Sequence, residues 1–202
     1  MRAGRYIVLE GIDGAGTTTL QQALAAALTA QGIDVHCAAQ PSGEGAGAMA
    51  RQYLKHSLTQ EYQRAALALC FATDRLALRQ RFEAHLSAGT WVLCDRSVLS
   101  SLVYQGSELD QDWVASINRF ALPADLTFLL DLSAEQSWAR IAARGGERER
   151  FEVPETLRVL RTRYLDAVRR FPAPVHVLDA TMTPDGVLQA ALATLAEQGW
   201  LD

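Results

Sequence analysis

The chain has 202 residues and a formal net charge of -4, with 49% hydrophobic and 21% charged residues. That length suits one domain with a sizeable core, and the balance is that of an ordinary soluble chain, neither disordered nor membrane-embedded. The excess of acid argues against a broad nucleic-acid or anionic-lipid surface, so any anion site has to be local.

From the amino terminus, Tyr6–Glu10 reads as a short strand, an apolar stretch too brief for a secretory leader. No later run reaches the roughly 18 apolar residues of a membrane helix, and a cytoplasmic location is expected. Next comes Gly11-Ile12-Asp13-Gly14-Ala15-Gly16-Thr17-Thr18, opening a helix over Thr18–Gln31. A glycine-rich turn between a strand and a helix is the context in which G-x-x-x-x-G-K-[ST] binds phosphate. Gly11, Gly14 and Gly16 permit the tight turn, and the backbone N–H groups and positive helix end point at the anion. Gly11, Asp13, Gly14, Ala15, Gly16, Thr17, Thr18 and Thr19 form the candidate ATP-binding set, with the Thr18 hydroxyl placed to meet Mg²⁺. Thr17 stands where the motif has its lysine. The sole lysine of the chain is Lys55, so the charge that phosphoryl transfer requires has to come from arginine.

Beyond the loop the pattern gives a strand at Val35–Ala38 and helices at Gly47–His56 and Gln60–Ser87. A strand at Trp91–Cys94 follows, ending in Asp95-Arg96. A carboxylate at that strand end can hold the Mg²⁺ shell, and the adjacent arginine can bridge two phosphates. A helix is read at Gln111–Phe120, a strand at Leu126–Leu132 and a helix at Ala134–Ala143. The segment Arg144–Phe151, with two glycines and alternating charges, reads as a lid between helices. A helix at Pro154–Arg170, a strand at Val175–Leu178 and a helix at Pro184–Gln198 complete the chain. Five short strands alternating with helices specify an α/β fold, a mostly parallel five-stranded sheet with ligands at the carboxyl edge of the strands. We read residues 1–202 as a single P-loop kinase domain with a lid near 144–152. Cys37, Cys70 and Cys94 lack metal-ligand spacing and are expected to be buried, reduced thiols.

Taken together, Gly11–Thr18, Phe71-Ala72-Thr73-Asp74-Arg75, Asp95-Arg96, Ser100-Ser101-x-x-Tyr104-Gln105-Gly106, Pro123-Ala124-Asp125-Leu126-Thr127 and the arginine-rich segment before Tyr164-Leu165 resemble the thymidylate kinase (dTMP kinase) family, in that family's order and over nearly the whole chain. The resemblance implies transfer of phosphate from ATP, with Mg²⁺, to dTMP by a homodimer. It implies that Phe71 stacks on the thymine ring and Arg75 hydrogen-bonds to the base, with Ser101 and Gln105 beside it. Tyr104 would crowd the sugar 2′ position, Asp13 would meet the 3′-OH, and Arg96 would hold the acceptor phosphate. The lid resembles that of family members that carry the catalytic arginine there, which Gly14 fits, and the implied assignments favour Arg144 and Arg150 over Arg148.

Three features depart from the pattern. Ala39-Gln40-Pro41 replaces a stretch with an acceptor-phosphate arginine, for which Arg51 is a possible substitute. Ser97 stands where an aromatic residue or histidine is usual, and Thr17 replaces the loop lysine. Two alternatives therefore stay open: a kinase for another pyrimidine deoxynucleotide or deoxynucleoside, and a nucleotide-binding regulator with little turnover.

Overall fold

The structure, a computed structural model, describes residues 4–145, 151 and 153–201. Five strands, β1 (Tyr6–Gly11), β2 (Val35–Ala39), β3 (Trp91–Asp95), β4 (Leu126–Asp131) and β5 (Val175–Asp179), form one sheet in the order β2-β3-β1-β4-β5. Every neighbouring pair is parallel. Parallel pairing needs long crossovers, and the intervening helices supply them while covering both faces. That is why the central strands β1 and β3 are buried along their whole length whereas the edge strands β2 and β5 are not.

Side chains of β1 alternate between two cores. Ile7 and Leu9 belong to the larger cluster, which includes Leu20, Leu24 and Leu28 of α1 (Thr17–Ala30) and Val187, Ala191 and Leu195 of α8 (Pro184–Glu197). Both helices present apolar residues three or four apart, the spacing that makes a stripe. Tyr6 and Val8 point the other way, into a cluster with Leu78, Phe82 and Leu86 of α3 (Glu61–Ser87). The first half of α3 packs on α2 (Gly45–Leu54), where Ala50, Leu58 and Leu67 form a third cluster flanked by Phe71.

The expected strands and helices are all present, with ends shifted by one or two residues. One helix was absent from the sequence reading: α4 (Val98–Tyr104), continued by a 3-10 turn at Gln105–Ser107. Its seven residues show no apolar periodicity because Ser100 and Ser101 are buried along with Leu99 and Val103. The remaining helices are α5 (Gln111–Asn118), α6 (Ala134–Arg144) and α7 (Pro154–Val168). The thiols also differ from expectation. All three cysteines are free, but only Cys94 is buried, Cys70 is half-buried and Cys37 is exposed because it lies on edge strand β2.

Glu10 explains why α4 forms where it does. The residue is fully buried at the end of β1 and accepts hydrogen bonds from the Ser97 and Ser100 backbone N–H groups at 2.8 and 3.2 Å. The Ser100 hydroxyl donates to it at 2.5 Å and the Tyr164 hydroxyl at 3.0 Å. A carboxylate without water needs such partners, and the first turn of a helix has N–H groups with no intrahelical acceptor. Glu10→Ala would leave those donors buried and unpaired, and is expected to lower the unfolding free energy by about 3 kcal/mol or more. Urea denaturation reads this directly, and a loss below about 1 kcal/mol would show that the network is not stabilising.

Candidate active site

The carboxyl ends of β1 and β3 lie side by side, with Leu9 in register with Asp95, so the segments that follow them meet above the sheet. They line a cleft of about 1300 Å³. On one side is the phosphate loop. Gly14 and Gly16 have φ of 79° and 101°, and a Cβ on Gly14 would lie 2.9 Å from the Ser137 carbonyl oxygen. Glycine is required at Gly14 on both counts. Helical bonding in α1 begins with Leu20 N–H donating to the Gly16 carbonyl, so the N–H groups from Gly16 to Thr19 have no intrahelical acceptor. These are the donors offered to a phosphate. Asp13 through Thr19 line the cleft, while Gly11 lies beneath it.

Behind the loop stands α6. The Ser137 hydroxyl donates to the Asp13 carbonyl, and Ile141 packs against Gly14. Arg140, which sequence reasoning did not single out, donates to the Ala15 carbonyl at 3.3 Å and to the Ala180 carbonyl at 2.8 Å. Its helical position alone could have drawn notice, since Ser137, Arg140, Ile141 and Arg144 share one face by three- and four-residue spacing.

At the floor of the cleft, the Thr18 hydroxyl donates to Asp95 Oδ2 at 2.6 Å, while Asp95 Oδ1 is buried without a hydrogen-bond partner. A hydroxyl and an unsatisfied carboxylate oxygen beside a phosphate loop are hard oxygen donors suited to Mg²⁺, which keeps several waters and takes few protein ligands. Thr18 and Asp95 therefore fit the metal role expected of them.

The opposite side is a set of buried polar groups. Arg96 has a left-handed backbone, φ 68°, that turns its side chain back across the cleft. Its guanidinium meets Asp13 at 2.5 Å and donates to the hydroxyls of Tyr104, Tyr164 and Ser100 at 3.2–3.3 Å. Burial works to lower the Arg96 pKa, but Tyr104, Asp13 and Tyr164 more than reverse it and hold the group firmly protonated. Burial also raises the Tyr104 pKa, against the pull of Arg96, so its hydroxyl keeps its proton.

Arg75, on α3, is buried and donates to the Ser97 carbonyl at 3.1 Å, the Ser101 hydroxyl at 2.8 Å and the Asn118 side-chain oxygen. Its Nε has no partner. Burial lowers its pKa, and Glu10 gives the largest opposing influence. Phe71, Ser101, Tyr104 and Gln105 line the same wall. Arg51 also lines the cleft, with Nε donating to the Ser42 carbonyl at 3.0 Å and Nη2 to the Pro41 carbonyl at 2.5 Å. It is a bound residue of the cleft rim, not a freely solvated helix charge. Ser97 does not line the cleft: it lies buried, with its hydroxyl accepting from Tyr6 at 3.4 Å. Arg144 ends α6 and lines the cleft. Phe151 stands edge-on to the Tyr104 ring at 5.0 Å. Arg148 and Arg150, two of the three lid arginines, lie outside the described residues.

Comparison with known proteins decides among phosphate-loop families. The family model described as thymidylate kinase matches residues 9–190. This chain belongs to the thymidylate kinase family. A probable thymidylate kinase of Methanothermobacter thermautotrophicus is 40% identical over 167 residues, 80% of this chain and 79% of that one. The thymidylate kinases of Chromohalobacter salexigens and Thermomicrobium roseum are 33% and 37% identical over 98% and 95% of this chain, covering 98% and 94% of their own. The fold is that of the Candida albicans thymidylate kinase, at a TM-score of 0.83 and 21% identity, with 97% of this chain and 92% of the other aligned. For this thymidylate kinase family member, Asp95→Asn is expected to weaken Mg²⁺ affinity by about 10–100-fold. A Mg²⁺ titration of turnover at fixed ATP checks this, and an unchanged half-saturating concentration would remove Asp95 from the metal site.

Proposed function

We infer that the chain transfers the γ-phosphoryl group of ATP to the phosphate of dTMP, releasing dTDP and ADP. Family membership makes it a kinase with dTMP as acceptor. The observation that carries the reading into residues is one cleft lined both by the glycine-rich loop with Asp95 and by Phe71, Arg75, Ser101, Tyr104 and Gln105.

The residue roles we propose are these. Amides of the loop cradle the ATP phosphates, with Thr18 and Asp95 holding Mg²⁺, which neutralises phosphate charge when bound. Phe71 stacks on the base, and Arg75, Ser101 and Gln105 face its edge. Tyr104 and Asp13 bound the sugar, and Arg96 holds the acceptor phosphate with help from Arg51. An acceptor phosphate oxygen then attacks the γ-phosphorus in line. The bond to the β,γ-bridging oxygen breaks, and ADP leaves with that electron pair. Because the nucleophile is already an anion, no strong base is needed, and positioning with charge neutralisation carries the reaction. Arg144 and Arg150 of the lid are proposed to stabilise the transferring group. We further propose that residues 1–202 act as one kinase domain in the cytoplasm; no described helix is long and apolar enough to cross a membrane.

A homodimer is supported by one surface. Tyr62, Leu69 and Leu76 lie seven residues apart on α3 and are 72%, 47% and 44% exposed, a stripe of the kind that pairs with another helix.

Thr17 favours a second reading, a nucleotide-binding regulator with little turnover. A coupled assay of ADP release with dTMP, dUMP, dCMP and thymidine separates the two, with sedimentation of the same sample. The expected result is turnover highest with dTMP by a two-chain species. ATP binding without product from any acceptor favours the regulator, and a higher rate with dCMP or thymidine reassigns the acceptor.

A further inference from the structure

We propose that Arg140 supplies the fixed positive charge that the phosphate loop lacks at Thr17, acting as a positioning residue on the ATP side. The proposal rests on the kinase reading for its chemistry, and on the geometry of α6 for its residue.

Six cations among the described residues line the cleft: Arg51, Lys55, Arg75, Arg96, Arg140 and Arg144. Three are committed to the acceptor side by their bonds. Arg51 is tied to the Pro41 and Ser42 carbonyls, Arg75 to Ser101 and Asn118, and Arg96 to Asp13. Lys55 caps α2 on that side as well. Arg144 closes α6 at the start of the lid. Arg96 reaches the phosphate loop at the Asp13 side chain, whereas Arg140 is bonded to a backbone peptide of its glycine-rich turn, through the Ala15 carbonyl at 3.3 Å. A Cβ built on Gly16 would sit 4.0 Å from its Nη1.

That bond sits at an important peptide. The Ala15 carbonyl belongs to the same planar unit as the Gly16 N–H, the first of the donors offered to phosphate. Holding the oxygen on one side therefore aims the N–H on the other. The helix that carries Arg140 is itself fixed to the loop, by Ser137 on the Asp13 carbonyl and by Ile141 against Gly14. A second bond, to the Ala180 carbonyl at 2.8 Å, pins the guanidinium from the β5 side. The charge is thus in place without any movement of the lid.

Both bonds of Arg140 to described residues go to carbonyl oxygens, and no carboxylate among the described residues pairs with it. Of its five N–H groups, the two bonds to described residues use two. A loop lysine is a point charge on a flexible stem that reaches the phosphates directly. A guanidinium held beside the loop acts instead through its field and through the orientation of one peptide.

A double-mutant cycle at Arg140 and Thr17 tests this, with Mg·ATP affinity measured by calorimetry in the absence of acceptor and turnover measured separately. The binding cycle reports on Arg140 even if the acceptor assignment fails. Arg140→Gln removes the charge and is expected to weaken Mg·ATP binding at least tenfold, with dTMP affinity kept within threefold; Arg140→Lys is expected to retain more of the ATP affinity. Thr17→Lys should raise affinity at least tenfold more in the Arg140→Gln chain than in the unsubstituted one. Equal gains in both backgrounds, or Arg140→Gln within threefold of the unsubstituted chain, would overturn the proposal. Loss of dTMP binding along with ATP binding, without recovery by Thr17→Lys, would assign Arg140 to holding the fold and overturn it too.

Discussion

The buried carboxylate of Glu10 is the point from which the α4 side of the cleft is built. It sits at the penultimate position of the central strand and takes bonds from the start of α4 and from Tyr164 on α7. Those bonds fix where α4 begins, and therefore where Ser101, Tyr104 and Gln105 stand in the cleft. They also hold the two hydroxyls, of Ser100 and Tyr164, to which Arg96 donates. One desolvated charge thus sets the position of an opposite one without touching it, since burial without partners would cost more than the fold can spare.

Charge is distributed around the cleft instead of concentrated in one lysine. The chain is acidic overall, yet among the described residues five arginines and Lys55 line the cleft. Arginine suits this arrangement because its planar fork holds several fixed acceptors at once, as Arg75 and Arg96 each do. The loop side of the cleft follows the same logic through α6, which packs on the glycine-rich loop and carries Arg140 and Arg144 on one face.

Much of this was legible in the sequence, for reasons that differ from element to element. Tyr6–Glu10 and Trp91–Cys94 read as strands because a strand covered on both faces is apolar throughout. The glycine-rich loop was legible because strand, glycine spacing and helix follow one another without interruption from Tyr6 to Ala30. The set proposed for the acceptor came from a family pattern, and the structure brings Phe71, Arg75, Ser101, Tyr104 and Gln105 to one cleft. Glu10 escaped notice because its partners are 87 to 154 residues away in the chain. Helix α4 escaped because the side chains it buries are partly serines, which no apolar periodicity reveals. Arg140 looked like any charge on an amphipathic helix until α6 was seen against the loop. Cys37 was misjudged because an edge strand shares the composition of an inner one.

Rapid-quench measurement of dTDP formation in a single turnover, with the chain in excess over dTMP and saturated with Mg·ATP, tests most directly whether this cleft performs chemistry without a loop lysine. The account predicts a chemical step on the order of 1–100 s⁻¹, the range of ordinary kinases. Bound Mg·ATP and bound dTMP with no dTDP formed over minutes would contradict it.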